Sequence, residues 1–198
     1  MTGYLFAFEG IDGSGKSTQR NLLAKALQAR GLPCVVTAEP TLGKWGQKIR
    51  EFSRTTRLTA QEELDLFILD RKEHIETLIA PSLQAGKTVL TDRYYYSSAA
   101  YQGSLGLDPH QIIHQHREFC PDPDLVFLVD LPAELGLQRV RARSNKPTDQ
   151  FEVLSSLRKC RDIFLEIATD RFVILDGTLD RRVLSHQVLD HTRAFKSW

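Results

Sequence analysis

Long hydrophobic runs are missing from this 198-residue sequence. No apolar stretch nears the roughly 20 residues that cross a bilayer, so neither a spanning helix nor a membrane partner is expected. Met1–Phe8 is apolar but short, without a basic flank or a small-residue cleavage site, so it does not read as a signal peptide. Cysteine is scarce: Cys34, Cys120 and Cys160 are an odd, widely spaced set with no C-x-x-C pair. That excludes a disulfide framework and a zinc knuckle and points to a reducing cytoplasm. An excess of one charge is missing too, since 26 Lys and Arg against 25 Asp and Glu leave a net +1. An extended nucleic-acid surface needs more basic excess than that, so no nucleic-acid partner is expected. The sequence shows no internal repeat and no low-complexity linker.

What is present is an alternation of short apolar runs and amphipathic segments. Tyr4–Phe8, Cys34–Thr37, Thr88–Thr91, Leu125–Val129 and Phe172–Leu175 read as five strands. The continuous apolar run of Leu125–Val129 is typical of a strand buried on both faces. Helical spacing marks segments near Ser17–Arg30, Trp45–Ser53, Gln61–Gln84, Ala133–Arg143 and Phe151–Thr169, with a further helix after Leu179. Gly31 and Pro33 carry the stop signals of the first helix. Strands alternating with helices predict an α/β fold, a parallel sheet with helices on both faces, in one domain over residues 1–198.

Gly10-Ile11-Asp12-Gly13-Ser14-Gly15-Lys16-Ser17-Thr18 fits the pattern G-x-x-x-x-G-K-[ST] between an apolar strand and an amphipathic helix. Glycines allow positive φ and bring backbone N–H groups close to phosphate oxygens. The helix that follows adds the positive end of its dipole. Lys16 is then placed for the β- and γ-phosphates of ATP and Ser17 for Mg2+. No base-specifying N-K-x-D segment accompanies the loop, which argues against a GTPase, and the short chain leaves no room for a motor's coupling domains. A small kinase remains.

Further segments fall at strand ends, where open α/β sheets place their ligands: Glu39-Pro40, Asp92-Arg93-Tyr94 and the arginines between Arg139 and Arg143. With Asp12 in the loop, Phe67 four residues before Arg71, Asp92-Arg93-Tyr94 followed by Ser97 and Ala100-Tyr101-Gln102-Gly103, and Pro123-Asp124-Leu125 opening a strand, the chain resembles the thymidylate kinase family. The resemblance implies a three-layer P-loop kinase fold with a short lid near 141–152, a homodimer, and transfer of the γ-phosphoryl of ATP to dTMP. It implies roles as well. Phe67 stacks on thymine and Arg71 bonds to it, while Arg93 and Arg50 hold the acceptor phosphate beside Glu39 and Pro40. Asp92 stands near Mg2+, Asp12 takes the 3′-OH, Tyr101 crowds the 2′ position, and Ser97 and Gln102 line the pocket. Arg139 and Arg143 approach ATP. Lys16, Asp12, Arg93 and Arg143 make up the catalytic set.

Two departures from the family pattern stand out. The lid segment reads Gln150-Phe151-Glu152, with Gln150 where an arginine is common, and Gly13 leaves the loop without one, so Arg143, Arg141 or Lys146 is expected to serve the transition state. Ala38 and Thr41-Leu42 replace an arginine and a pair of glycines around Glu39-Pro40. Rival readings are a deoxynucleoside kinase with Glu39 as base, because Trp45 follows the Glu-Pro pair, and a non-catalytic nucleotide binder. A metal site at His110, His114 and His116 lacks an H-E-x-x-H, and a polar helix face is expected instead. The run Tyr94–Tyr96 lacks flanking lysines and is assigned to the kinase pocket, not to stacking on single-stranded nucleic acid.

Overall fold

A computed structural model of the chain describes residues 3–55, 58–142 and 150–195. The five anticipated strands all form: β1 (Tyr4–Glu9), β2 (Cys34–Ala38), β3 (Thr88–Asp92), β4 (Leu125–Asp130) and β5 (Phe172–Asp176). Each neighbouring pair is parallel, in the order β2-β3-β1-β4-β5. The first strand therefore lies in the middle, and the chain leaves it to build one side before crossing to the other. In such sheets the ligand crevice opens at the carboxyl ends of the strands around that reversal.

Helices cover both faces. On one face α1 (Lys16–Gln28) and α9 (Arg181–Phe195) lay Leu23, Ala24, Leu27, Leu184 and Val188 against Phe6, Phe8, Phe127 and Val129. Leu64 and Ile68 of α3 (Ala60–His74) pack on the other face. So do Ile112 and Ile113 of α6 (Pro109–Arg117) and Leu157, Cys160 and Phe164 of α8 (Gln150–Glu166). The first helix ends at Gln28, short of the expected Arg30, and Gly31, with a φ of 69°, carries the turn that returns the Leu32 N–H to the Leu27 carbonyl. Helix α2 (Lys44–Thr55) and α7 (Ala133–Arg141) flank the crevice.

Two differences from the expected elements have physical causes. The long helix over 61–84 is continuous but changes winding, passing from α3 through a π-turn at Ile75–Ile79 into α4 (Ala80–Gln84). Pro81 has no N–H to give the ladder, and the wider turn accommodates the lost bond. Helix α5 (Tyr95–Ser104) was not marked by periodicity because it has no polar stripe. Tyr95, Tyr96, Ser97, Ser98, Ala99, Ala100 and Gln102 are all buried, and a helix surrounded by protein loses its amphipathic signal. The tyrosine run is accordingly corrected: Tyr94, Tyr95 and Tyr96 are core residues, fully buried, and none lines the cavity described below.

Candidate active site

The loop between β1 and α1 is shaped by its glycines. Gly10, Gly13 and Gly15 have φ values of 136°, 83° and 104°. A Cβ on Gly10 would stand 2.6 Å from the Val129 carbonyl, and one on Gly13 would collide with the Gly136 carbonyl of α7. Nothing lies within 4 Å of a Cβ at Gly15, which is the N-cap of α1 and offers no side chain to its N–H groups. That N-terminus, open and positive, suits an anion. Lys16 is buried, and its ammonium donates to the Ile11 carbonyl at 3.3 Å. Burial pulls its pKa down to about 8, an effect that the Arg93 charge reinforces and Asp12 opposes. The Ser14 hydroxyl is buried without a protein partner.

Ser17 and Asp92, predicted as metal ligands, are brought together across the ends of α1 and β3, where the Ser17 hydroxyl donates to Oδ2 of Asp92. Oδ1 of Asp92 is buried with no partner. Arg20, one turn after Ser17, donates to the Thr37 carbonyl at 2.6 Å and stands 4.0 Å from Oδ2 of Asp92.

Arg93 follows Asp92 with a φ of 71°, the one non-glycine residue with positive φ among the described residues. Its Nη2 donates to Oδ1 of Asp12 at 2.6 Å and to the Tyr101 hydroxyl at 3.0 Å, and its Nη1 donates to the Ser97 hydroxyl at 3.0 Å. Lys16 approaches the same Asp12 oxygen at 3.8 Å. Burial works to raise the Asp12 carboxyl, but the charges of Arg93 and Lys16 outweigh it and hold the group below its ordinary value. Burial likewise opposes the Arg93 charge, yet Tyr101 and Asp12 hold the guanidinium above its usual range.

Asp12, Arg93, Ser97 and Tyr101 form one wall of a cavity of about 400 Å³ between the loop, α2, α3 and α5. Asp12, Glu39, Pro40, Phe67, Arg71, Arg93, Ser97, Tyr101 and Gln102 all line it. Phe67 is half-buried and faces this space, so it is not simply a core aromatic. The Gln102 amide nitrogen donates to Glu63 at 3.3 Å, while its buried carbonyl oxygen has no partner.

Two predicted arginines are more constrained than their sequence positions imply. Arg71 is a fully buried ion-pair partner of Glu39. Its Nε and Nη2 donate to Oε2 of Glu39 at 2.8 and 2.6 Å, and its Nη1 meets the Ser98 hydroxyl at 3.1 Å and Nε2 of His116 at 2.6 Å. Glu39 also takes Nδ1 of His74 at 3.0 Å. Burial presses the Glu39 carboxyl upward, but Arg71 and His74 outweigh it and keep it below its ordinary value. Arg50 does not line the cavity. Its guanidinium donates to the carbonyls of Pro40, Thr41 and Gly46, tying α2 to the Glu39-Pro40 loop.

Arg139 lies beside the phosphate loop, with Nη1 3.4 Å from the Gly13 carbonyl and Nη2 3.1 Å from that of Gly177. Arg143 and Lys146, and the side chains of Gln150 and Glu152, lie outside the described residues, as does most of the lid at 141–152. Among the described residues no group of three His, Cys, Asp or Glu side chains is arranged to hold a metal ion. His116 is buried, His110 is exposed 3.4 Å from Glu166, and the histidine trio does not converge.

Sequence reasoning missed two residues. Glu9 ends β1 and is completely buried, accepting from the N–H groups of Tyr94 and Ser97 and from the Ser97 hydroxyl. The available signal was a carboxylate closing an otherwise apolar strand, directly before the first loop glycine. The other is His116, expected on a polar helix face but completely buried, whose Nδ1 faces the Ile112 carbonyl at 2.7 Å, so that Nε2 is left as the acceptor for Arg71. No sequence signal marks that pairing.

The sequence profile of the thymidylate kinase family matches residues 8–188. The chain belongs to the thymidylate kinase family. A thymidylate kinase of Xanthomonas campestris pv. campestris is 44% identical over 178 residues, covering 90% of this chain and 78% of the relative. One of Desulfotalea psychrophila is 47% identical over 163 residues, covering 82% and 80%. A thymidylate kinase of Xanthomonas oryzae pv. oryzae is 44% identical over 178 residues, with coverage of 90% and 78%.

Proposed function

We propose that this chain transfers the γ-phosphoryl group of ATP to dTMP, giving dTDP and ADP. One observation carries the reading: the phosphate-loop ammonium of Lys16 and the guanidinium of Arg93 converge on the same Asp12 oxygen, at 3.8 and 2.6 Å. Phosphoryl transfer asks chiefly for two phosphates held in line while the charge between them is neutralised. Lys16 and the α1 N-terminus hold the donor phosphates, and Arg93 holds the acceptor phosphate with a planar fork suited to its oxygens. Asp12 keeps both cations in register, and its half-exposed carboxylate lines the cavity where a sugar hydroxyl donates to it. Phe67 offers a ring to the base, with Arg71 and Gln102 beside it, and Tyr101 fills space next to Arg93. Arg139 steadies the loop from the ATP side. Arg143, the remaining member of the catalytic set, is assigned to the lid by sequence alone.

The donor set around Asp92 fits a divalent cation. An unpartnered buried carboxylate oxygen beside a serine hydroxyl presents the hard oxygens that Mg2+ selects. Ser17 and Asp92 would hold the Mg2+, which would supply positive charge to neutralise the phosphate oxygens. Glu39 does not suit the general base that a deoxynucleoside kinase needs, because both of its oxygens are held by Arg71 and His74. Among the described residues no helix is long and apolar enough to cross a membrane. The homodimer implied by the family resemblance belongs to this reading, and light scattering tests it.

The direct test is ADP release with ATP, Mg2+ and, in turn, dTMP, dUMP, UMP, dCMP and thymidine. Turnover on dTMP with little on UMP or thymidine is the expected result. Turnover on thymidine in place of dTMP replaces the reading with a nucleoside kinase.

A further inference from the structure

Glu9 takes no part in the chemistry above, yet it touches the acceptor side of the site at three points. Its Oε1 accepts the Tyr94 N–H at 2.8 Å and the Ser97 N–H at 3.2 Å, and its Oε2 accepts the Ser97 hydroxyl at 2.5 Å. The residue between these contacts and the phosphate is Arg93. Its positive φ is a conformation disfavoured for a side-chain-bearing residue and persists only where neighbours impose it. The Phe8 carbonyl holds the Arg93 N–H at 3.0 Å, and the Thr91 hydroxyl holds its carbonyl at 2.8 Å. Glu9 holds the next N–H along the chain.

The side chain is controlled as well. A serine hydroxyl has one proton, and that of Ser97 is directed to Glu9. Its lone pairs are therefore turned outward, where Nη1 of Arg93 donates to them at 3.0 Å. Helix α5 has no capping side chain of its own at Tyr94, and the carboxylate of β1 accepts the N–H groups of Tyr94 and Ser97 there instead. Because Glu9 is bonded directly to Gly10, the strand end that launches the ATP loop also aims the arginine of the other phosphate.

We propose that Glu9 is a positioning residue that sets the backbone and guanidinium of Arg93 for the acceptor phosphate, through the Tyr94 N–H and the Ser97 hydroxyl. The inference rests on the dTMP reading of the site. Burial, opposed by the Ser97 hydroxyl and the Arg93 charge, lifts the Glu9 carboxyl to about 7. The group is thus mostly ionised, and a strong acceptor, only on the alkaline side of neutrality.

The test is steady-state kinetics of the full chain with ATP and dTMP each varied, on wild type, Glu9→Gln and Ser97→Ala. In Glu9→Gln one amide orientation sets an NH2 against the Tyr94 N–H, and the other reverses the Ser97 hydrogen bond and frees its proton. Loss of one charge-assisted bond to the positioning path predicts a rise of about tenfold in KM for dTMP. On the same grounds KM for ATP should move by less than about twofold. Ser97→Ala cuts the same path without touching the α5 cap and should show the same split, so it decides the matter if Glu9→Gln does not fold. A folded variant with unchanged KM for dTMP, or with both KM values raised together, overturns the inference and leaves dTMP turnover by the wild type standing. A wild-type chain that does not turn over dTMP overturns the functional reading and this inference with it.

Discussion

Lys16 and Arg93, one from the phosphate loop and one from the end of β3, meet on a single oxygen, Oδ1 of Asp12, at 3.8 and 2.6 Å. Two like charges are brought this close only because a carboxylate lies between them. In Asp12→Asn that oxygen remains as an amide, but the counter-charge is gone. The half-exposed side chain does not support the core, so the fold should survive. Losing a charge-assisted contact of this kind predicts a fall of about ten- to a hundredfold in kcat/KM for dTMP, read by steady-state kinetics.

Asp92→Ala removes both the unpartnered oxygen and the acceptor of the Ser17 hydroxyl. The Mg2+ concentration for half-maximal turnover should rise by about tenfold or more. Titrating Mg2+ at fixed ATP checks this, and an unchanged midpoint would remove Asp92 from the metal site.

Glu39→Gln leaves the Arg71 guanidinium buried without a counter-charge. Removing one partner of such a pair costs about 3–5 kcal/mol, so urea unfolding should show a loss of that order. A general-base role for Glu39 predicts the reverse pattern, with stability kept and chemistry lost.

Much of this arrangement was legible in the sequence, for identifiable reasons. The phosphate loop declares itself because its requirements are for residue types at fixed spacing, and Gly13 has no room for a Cβ against Gly136. The strands declare themselves as apolar runs. Long-range commitments of polar groups are what a sequence conceals. Arg50 and Arg71 look alike in sequence as donors to a phosphate or a base, but one caps the loop carbonyls of Pro40 and Thr41 and the other is paired with Glu39 and His116. Tyr94–Tyr96 read as part of the kinase pocket, yet the largely buried helix they lead into carries no periodicity to reveal that they are core. Glu9 hides for a related reason, since its partners lie 85 or more residues away.

The Glu9 carboxyl supplies a pH signature. Its folded pKa of about 7 lies above its ordinary value of 4.5, chiefly through burial and despite the nearby charges of Arg93, Arg71 and Lys16. A raised carboxyl favours the folded state when protonated. Its contribution is complete below the unfolded pKa and is lost as pH rises through about 7, by an amount on the order of 3 kcal/mol. Glu9→Gln does not titrate. The stability of wild type relative to this variant should therefore decline between about pH 5 and pH 8 in paired thermal melts. A constant difference across that interval would contradict the assignment.

The central claim is that one crevice holds the phosphates of ATP and dTMP together, and acceptor-dependent ADP release tests it most directly. With ATP and Mg2+ present, the account predicts release that depends on dTMP, with thymidine and UMP giving little, and a collapse of that release in Arg93→Ala. Release that is independent of dTMP, or that survives unchanged without the Arg93 guanidinium, would contradict it.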